Sequence, residues 1–245
     1  MIDNTSFDIL GLNYKLGASK HFILDNYRTI LFSHGLEGNK DGLKWNEWSV
    51  SLPTHGFNVI KFNYRGCGKQ TAHPSDGLFV DTTLTGRISD YDLVVNSLPD
   101  HGMDNFPLGA IGSSFGGMVV AASSNPTVKA IALIATPYSL DFDADRLVSQ
   151  GIIKLESGEL LSENFFKDVV LYDIGDALKE YKIPTLIIHG SEDEVVPVDD
   201  AFKLYDSLEE SRELHIIEGA DHSLTKSLHR QEAINLITTW MLDHL

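Results

Sequence analysis

Gly112-Ser113-Ser114-Phe115-Gly116-Gly117 joins the apolar run Gly109-Ala110-Ile111 to the helix-forming stretch Met118-Val119-Val120-Ala121-Ala122. A buried strand therefore runs into a helix, predicted over Gly117 to Ser124, through a turn that carries two serines. A serine held at the top of such a turn sits on strained backbone angles. Its flanking positions must be small, because a Cβ there strikes the adjoining strand or helix. Ser114 meets that requirement, with Gly112 and Gly116 in G-x-S-x-G spacing, whereas the flanks of Ser113 are Ile111 and Phe115. Ser114 is the candidate nucleophile.

A serine hydroxyl is a poor nucleophile at neutral pH and needs a base within hydrogen-bond reach. Of the ten histidines, His55, His101 and His229 fall in polar turns or on solvated helix faces. His215 lies early in a strand and His189 ends one, where packing or one backbone hydrogen bond satisfies either. His222 differs, because Glu218-Gly219-Ala220-Asp221-His222-Ser223 directly follows the last strand-like run, Leu214 to Ile217. Asp193 holds the equivalent place after the preceding strand, in Gly190-Ser191-Glu192-Asp193-Glu194-Val195-Val196-Pro197, with Glu192 and Glu194 as immediate rivals. A carboxylate there can accept from one ring nitrogen of His222 and stabilise the imidazolium that forms. The chain order Ser, Asp, His is that of the α/β-hydrolase fold.

Outward from these motifs, apolar runs alternate with helical patterns. Strands are expected at Phe7 to Leu16 and Phe22 to Leu24, joined by a turn at Gly17-Ala18-Ser19. Further strands are expected at Thr29 to Phe32, Phe57 to Phe62, Val128 to Ala135 and Thr185 to His189. Trp45, Trp48 and Leu52 fall at helical spacing, and helices are expected over Asp90 to Leu98 and Glu232 to Leu242. Strands that are apolar throughout imply a mostly parallel sheet with helices on both faces, and an active crevice beyond the strands' carboxyl ends. Residues 1–245 read as a single α/β domain. Pro137 to Lys182 carry no clear strand and read as a small cap inserted in it. Its aromatic residues Phe142, Phe165, Phe166 and Tyr172 are candidates for the wall that grips a substrate.

His34-Gly35-Leu36-Glu37-Gly38 follows the strand ending at Phe32, with a glycine that permits close backbone approach. The backbone amides of Leu36 and Phe115 are therefore the expected donors to a developing oxyanion. Cys67, the single cysteine, allows no intrachain disulfide and reads as a small structural thiol. The amino-terminal Met1-Ile2-Asp3-Asn4 has no basic, then apolar, leader pattern, so a cytoplasmic location is expected. The formal charge of −16 repels phosphate backbones and anionic lipid, so neither nucleic acid nor membrane is an expected partner. Motifs for a metal site or a dinucleotide are missing, and no metal or cofactor is expected. In the cap, ten acids including Asp141, Asp143, Asp145, Glu156, Glu163 and Asp168 face four basic residues, which predicts a field that repels polyanionic substrates.

Five segments together resemble the α/β-hydrolase superfamily, in its serine aminopeptidase-like branch. They are the His34-Gly35 loop, Tyr64-Arg65-Gly66-Cys67-Gly68, the turn at Ser114, the Asp193 loop and Gly219-Ala220-Asp221-His222. Ile183 to Ser223 is locally similar to bacterial cinnamoyl and feruloyl esterases. One departure is Gln70, where such relatives usually carry serine at a structural position. The resemblance implies a serine carboxylesterase acting on a small-molecule ester through an acyl-enzyme. The alternatives are the same machinery on a thioester, a monoacylglycerol or an N-terminal peptide bond, and less favourably a C–C hydrolase or a non-catalytic binding member.

Overall fold

The computed structural model describes residues 2–23, 28–103, 107–140, 151–155, 157–209 and 211–245. An eight-stranded sheet runs in the order β1-β2-β4-β3-β5-β6-β9-β10. Six strands are mutually parallel: β3 (Arg28–Ser33), β4 (Phe57–Phe62), β5 (Leu108–Ser113), β6 (Val128–Ile134), β9 (Thr185–Gly190) and β10 (Arg212–Ile217). An antiparallel hairpin, β1 (Ile2–Leu10) and β2 (Lys15–Ile23), adds to the β4 edge.

Five of the six parallel strands are buried along nearly their whole length because both sheet faces are covered, whereas β10, at the edge, is only partly buried. Alternate residues feed two cores. Leu31, Ala110, Ile131, Leu133 and Ile187 join the cluster containing Val94 of α2 (Leu84–Ser97) and Met118 of α3 (Phe115–Ser123). Their neighbours Ile30, Phe32, Ile111, Ala132 and Ile188 join the cluster containing Trp48 of α1 (Leu43–Ser51) and Ile237 of the carboxyl-terminal helix. Successive strand residues point to opposite faces, so these two clusters are the two sides of the sheet. The doubly covered, mostly parallel α/β-hydrolase architecture expected from the sequence is the one observed.

Several local expectations differ from the structure. The first turn is at Gly11 to Tyr14, while Gly17, Ala18 and Ser19 lie inside β2. A Cβ on Gly17 would sit 2.0 Å from the carbonyl oxygen of His73, so this glycine marks a close backbone approach rather than a turn. Helix α2 begins at Leu84, ahead of the expected start, because Thr83 caps it by accepting from Gly86 N–H at 2.9 Å. Between β6 and β9 lies a small hairpin, β7 (Ile152–Lys154) with β8 (Leu160–Ser162), where no strand was expected. Helices α4 (Glu163–Val169) and α5 (Ile174–Tyr181) follow it. A short helix α6 (Asp199–Asp206), also unforeseen, connects β9 to β10, and α7 (Ser227–His244) closes the chain. No described helix is long and apolar enough to cross a membrane.

Candidate active site

All four sequence-derived loops emerge at the carboxyl ends of neighbouring parallel strands. Ser114 follows β5 with φ 54° and ψ −128°, a conformation disfavoured for a residue with a Cβ. It is tolerated because the backbone around it is closely packed. A Cβ on Gly116 would meet the Ser33 carbonyl oxygen at 2.3 Å, and one on Gly112 would meet the Gly117 Cα at 2.5 Å. The Ser114 N–H is tied to the Ile134 carbonyl of the next strand at 2.8 Å.

His222 Nε2 lies 3.1 Å from Ser114 Oγ. Its Nδ1 lies 2.8 and 3.0 Å from the two carboxylate oxygens of Asp193. The Asp193 side chain is wholly buried. Its Oδ1 accepts from Val195 N–H at 2.9 Å and Val196 N–H at 2.8 Å. Burial would raise its carboxyl, but the hydrogen bonds from His189, His222 and Val196 outweigh that and hold it well below the usual carboxylate range. An ionised Asp193 makes His222 Nδ1 the donor and leaves Nε2 free to accept the serine proton.

His189 has a larger part than its sequence position indicated. Its Nε2 is 3.2 Å from Asp193 Oδ2 and 3.0 Å from the Val196 carbonyl oxygen, so that nitrogen carries the proton. It shares Asp193 Oδ2 with His222 Nδ1 and so helps hold the carboxylate in place. The place of His189 at the end of β9, four residues before Asp193, was the available signal.

Leu36 and Phe115, whose backbone amides are the expected oxyanion donors, both line the cavity that holds Ser114. Phe115 opens α3, so its N–H has no partner within the helix. The Leu36 amide belongs to the Gly35–Leu36 peptide, whose carbonyl is held by the His34 Nδ1 proton at 2.8 Å, Arg87 Nη1 at 3.1 Å and Gly38 N–H at 3.2 Å. Arg87 also donates to the Leu36 carbonyl at 2.6 Å. In a trans peptide the C=O and N–H point opposite ways, so fixing the Gly35 oxygen fixes the direction of the Leu36 N–H. Arg87 is 2% exposed and lies 4.8 Å from the Tyr64 ring centroid and 5.2 Å from that of Phe115. Burial, reinforced by the Arg87 charge, lowers the His34 pKa to about 3. Its ring is therefore neutral, donating through Nδ1 and accepting from Tyr64 N–H at 3.4 Å through Nε2. Sequence reading passed over Arg87; its signal was an arginine within the apolar stripe of Leu84, Tyr91 and Val94.

A cavity of about 810 Å³ opens over Ser114. Phe165 and Phe166 line it beside Phe115, as do Ile153, Leu155 and Leu161 of the hairpin. Tyr172 does not, because its hydroxyl turns to Thr85 Oγ1 at 2.6 Å. Phe142, like Asp141, Asp143, Asp145 and Glu156, lies outside the described residues. Among the described residues, no acid of the cap lines the cavity. Glu163 pairs with Lys167 at 2.9 Å and Asp168 accepts from Thr85, while the one acid lining the cavity among the described residues is Glu37. Cys67 is buried, with Arg87 Nη2 3.5 Å from its sulfur.

The prolyl oligopeptidase family model matches residues 45–245. An uncharacterized protein of Escherichia coli O157:H7, YfhR, is 28% identical over 221 residues, spanning 85% of this chain and 69% of that one. Among solved structures, Est1E from Butyrivibrio proteoclasticus, with ferulic acid bound, superposes with a TM-score of 0.85 at 21% identity, covering 97% of this chain and 98% of that one. A dienelactone hydrolase from Anabaena variabilis superposes with a TM-score of 0.73 at 18% identity, covering 100% and 99%.

Proposed function

Because the chain belongs to the prolyl oligopeptidase family, within the α/β-hydrolase fold, we propose that it is a serine hydrolase cleaving carboxylic esters of small molecules through an acyl-enzyme. The observation that carries this reading is the unbroken hydrogen-bonded chain from Ser114 Oγ through His222 to a buried, ionised Asp193. Ser114 Oγ attacks the carbonyl carbon as its proton passes to His222 Nε2. The oxyanion that forms is received by the Leu36 and Phe115 amides. His222 then gives the proton to the departing alkoxide, and a water molecule activated by the same imidazole clears the acyl group. Residues 137–182 serve as a cap, with Phe165 and Phe166 presenting an apolar wall to one half of the ester. The single cysteine and the acidic chain suit a reducing cytoplasm.

The family match favours one second reading, an amide or peptide bond as the scissile group. A matched aryl ester and anilide decide between them. We expect the ester to be turned over and Ser114→Ala to lose on the order of 10⁴-fold or more in kcat. Faster cleavage of the anilide in kcat/KM supports the peptidase reading instead. If Ser114→Ala keeps more than about a tenth of the rate, the serine mechanism fails.

A further inference from the structure

Beyond the apolar wall, the cavity has a second lobe on the other face of the sheet. Its lining includes Lys44 and Trp45 from α1, Ser113 at the end of β5, and Thr225 and Arg230. Trp45 belongs to the α1–α7 core, whereas Phe115, Phe165 and Phe166 belong to the opposite one. The cavity therefore straddles the sheet's upper edge, with Ser114 between an apolar lobe and a cationic one.

The two cations of this lobe differ. Arg230 is neutralised by Glu47, with contacts of 2.6 and 3.0 Å between guanidinium and carboxylate. Lys44 has no carboxylate within 4 Å among the described residues. Its Nζ donates to Ser113 Oγ at 2.7 Å and stands 5.3 Å from the Trp45 ring centroid. These contacts aim a partly buried ammonium at the residue next to the nucleophile. One proton goes to Ser113, and two further donors remain for a ligand. A charge withdrawn from water and left without a counter-ion is costly unless an anion arrives to pair with it.

Resting on the ester hydrolase reading, we propose that Lys44 forms a subsite for a carboxylate carried by the substrate, so that the preferred ester is apolar on one side of the scissile bond and bears a single negative charge on the other. A lone carboxylate meets a local cation here, while the chain's overall acidity still opposes polyanions. Burial lowers the Lys44 pKa to about 8, against the raising influence of Asp193 and Asp221. The ammonium is thus charged below about pH 8 and neutral above it. The other titratable or charged groups around Lys44 are Asp193, Asp221, His222 and the Arg230–Glu47 pair, and Glu37 lines the same cavity.

The test uses the full chain and esters matched in size. One carries a carboxylate in the alcohol half, one carries it in the acyl half, and a third carries a carboxamide in its place. Wild-type protein should favour at least one carboxylate ester over the carboxamide by about tenfold or more in kcat/KM at pH 7. Lys44→Met should abolish that preference and leave the carboxamide rate within about twofold, and Lys44→Arg should keep part of it. The preference should fade as pH rises through about 8, because kcat/KM reports ionisations of the free enzyme. Equal rates for all three esters, or a preference that survives in Lys44→Met, overturn the subsite. Failure of wild-type protein to cleave even the carboxamide ester overturns the ester hydrolase reading instead, so the two failures are distinct.

Discussion

The peptide between Gly35 and Leu36 shows how one side chain can set the direction of a backbone donor. Arg87 holds both carbonyls of this turn from 52 and 51 residues away. Arg87→Met should leave the Gly35 carbonyl bonded to His34 and Gly38 while loosening the orientation of the Leu36 amide. Complete loss of an oxyanion donor typically costs about 10²- to 10³-fold in kcat, so a misdirected one should cost on the order of 10- to 100-fold. That loss should appear in kcat rather than KM and in weaker binding of a boronic acid that mimics the tetrahedral intermediate, with Arg87→Lys recovering part of it. A change confined to KM would contradict the positioning role. Ser114, Asp193 and His222 were legible because each sits in a short motif beside a recognisable strand. Arg87 and Lys44 were not, since their partners are remote in sequence, as with Lys44 and Ser113, 69 positions apart.

At the scale of elements, legibility followed length and burial. The parallel strands were readable because uninterrupted apolar runs are what a doubly covered sheet requires. The β7–β8 hairpin was not, because strands of three residues are too short to display alternation. Gly17 misled for a related reason, as a glycine in a strand and a glycine in a turn look alike until the neighbouring loop is placed. The hairpin's placement has a consequence for substrate binding. Ile153 lines the cavity and packs against the margin of the core while remaining partly exposed, so it keeps apolar surface available to a ligand. Ile153→Asn should raise KM for apolar aryl esters by roughly tenfold, about the effect of losing one to two buried methylenes. The melting temperature should stay near that of wild type. A large drop in melting temperature with KM unchanged would mean that the hairpin is structural support rather than cavity wall.

In the whole molecule, the sheet order brings together what the chain keeps far apart. Placing β3, β5, β6, β9 and β10 side by side sets the loops after four of these strands around a single point, although Gly35 and His222 lie near opposite ends of the sequence. Helices bury both faces of this sheet, and the motifs alone located its carboxyl edge. The disposition of the cap's charges was beyond sequence reading, because counting acids does not reveal which of them turn toward Lys167 or Thr85 rather than the cavity. In the proposed mechanism Ser114, activated by His222, is the reacting group. The most direct measurement is to treat the protein with a fluorophosphonate and locate the adduct by mass spectrometry, in wild type and in His222→Ala. One phosphonyl group is expected, on Ser114, forming orders of magnitude more slowly in the variant. An adduct on Ser113 or elsewhere, or labelling of Ser114 at the same rate without His222, would contradict it.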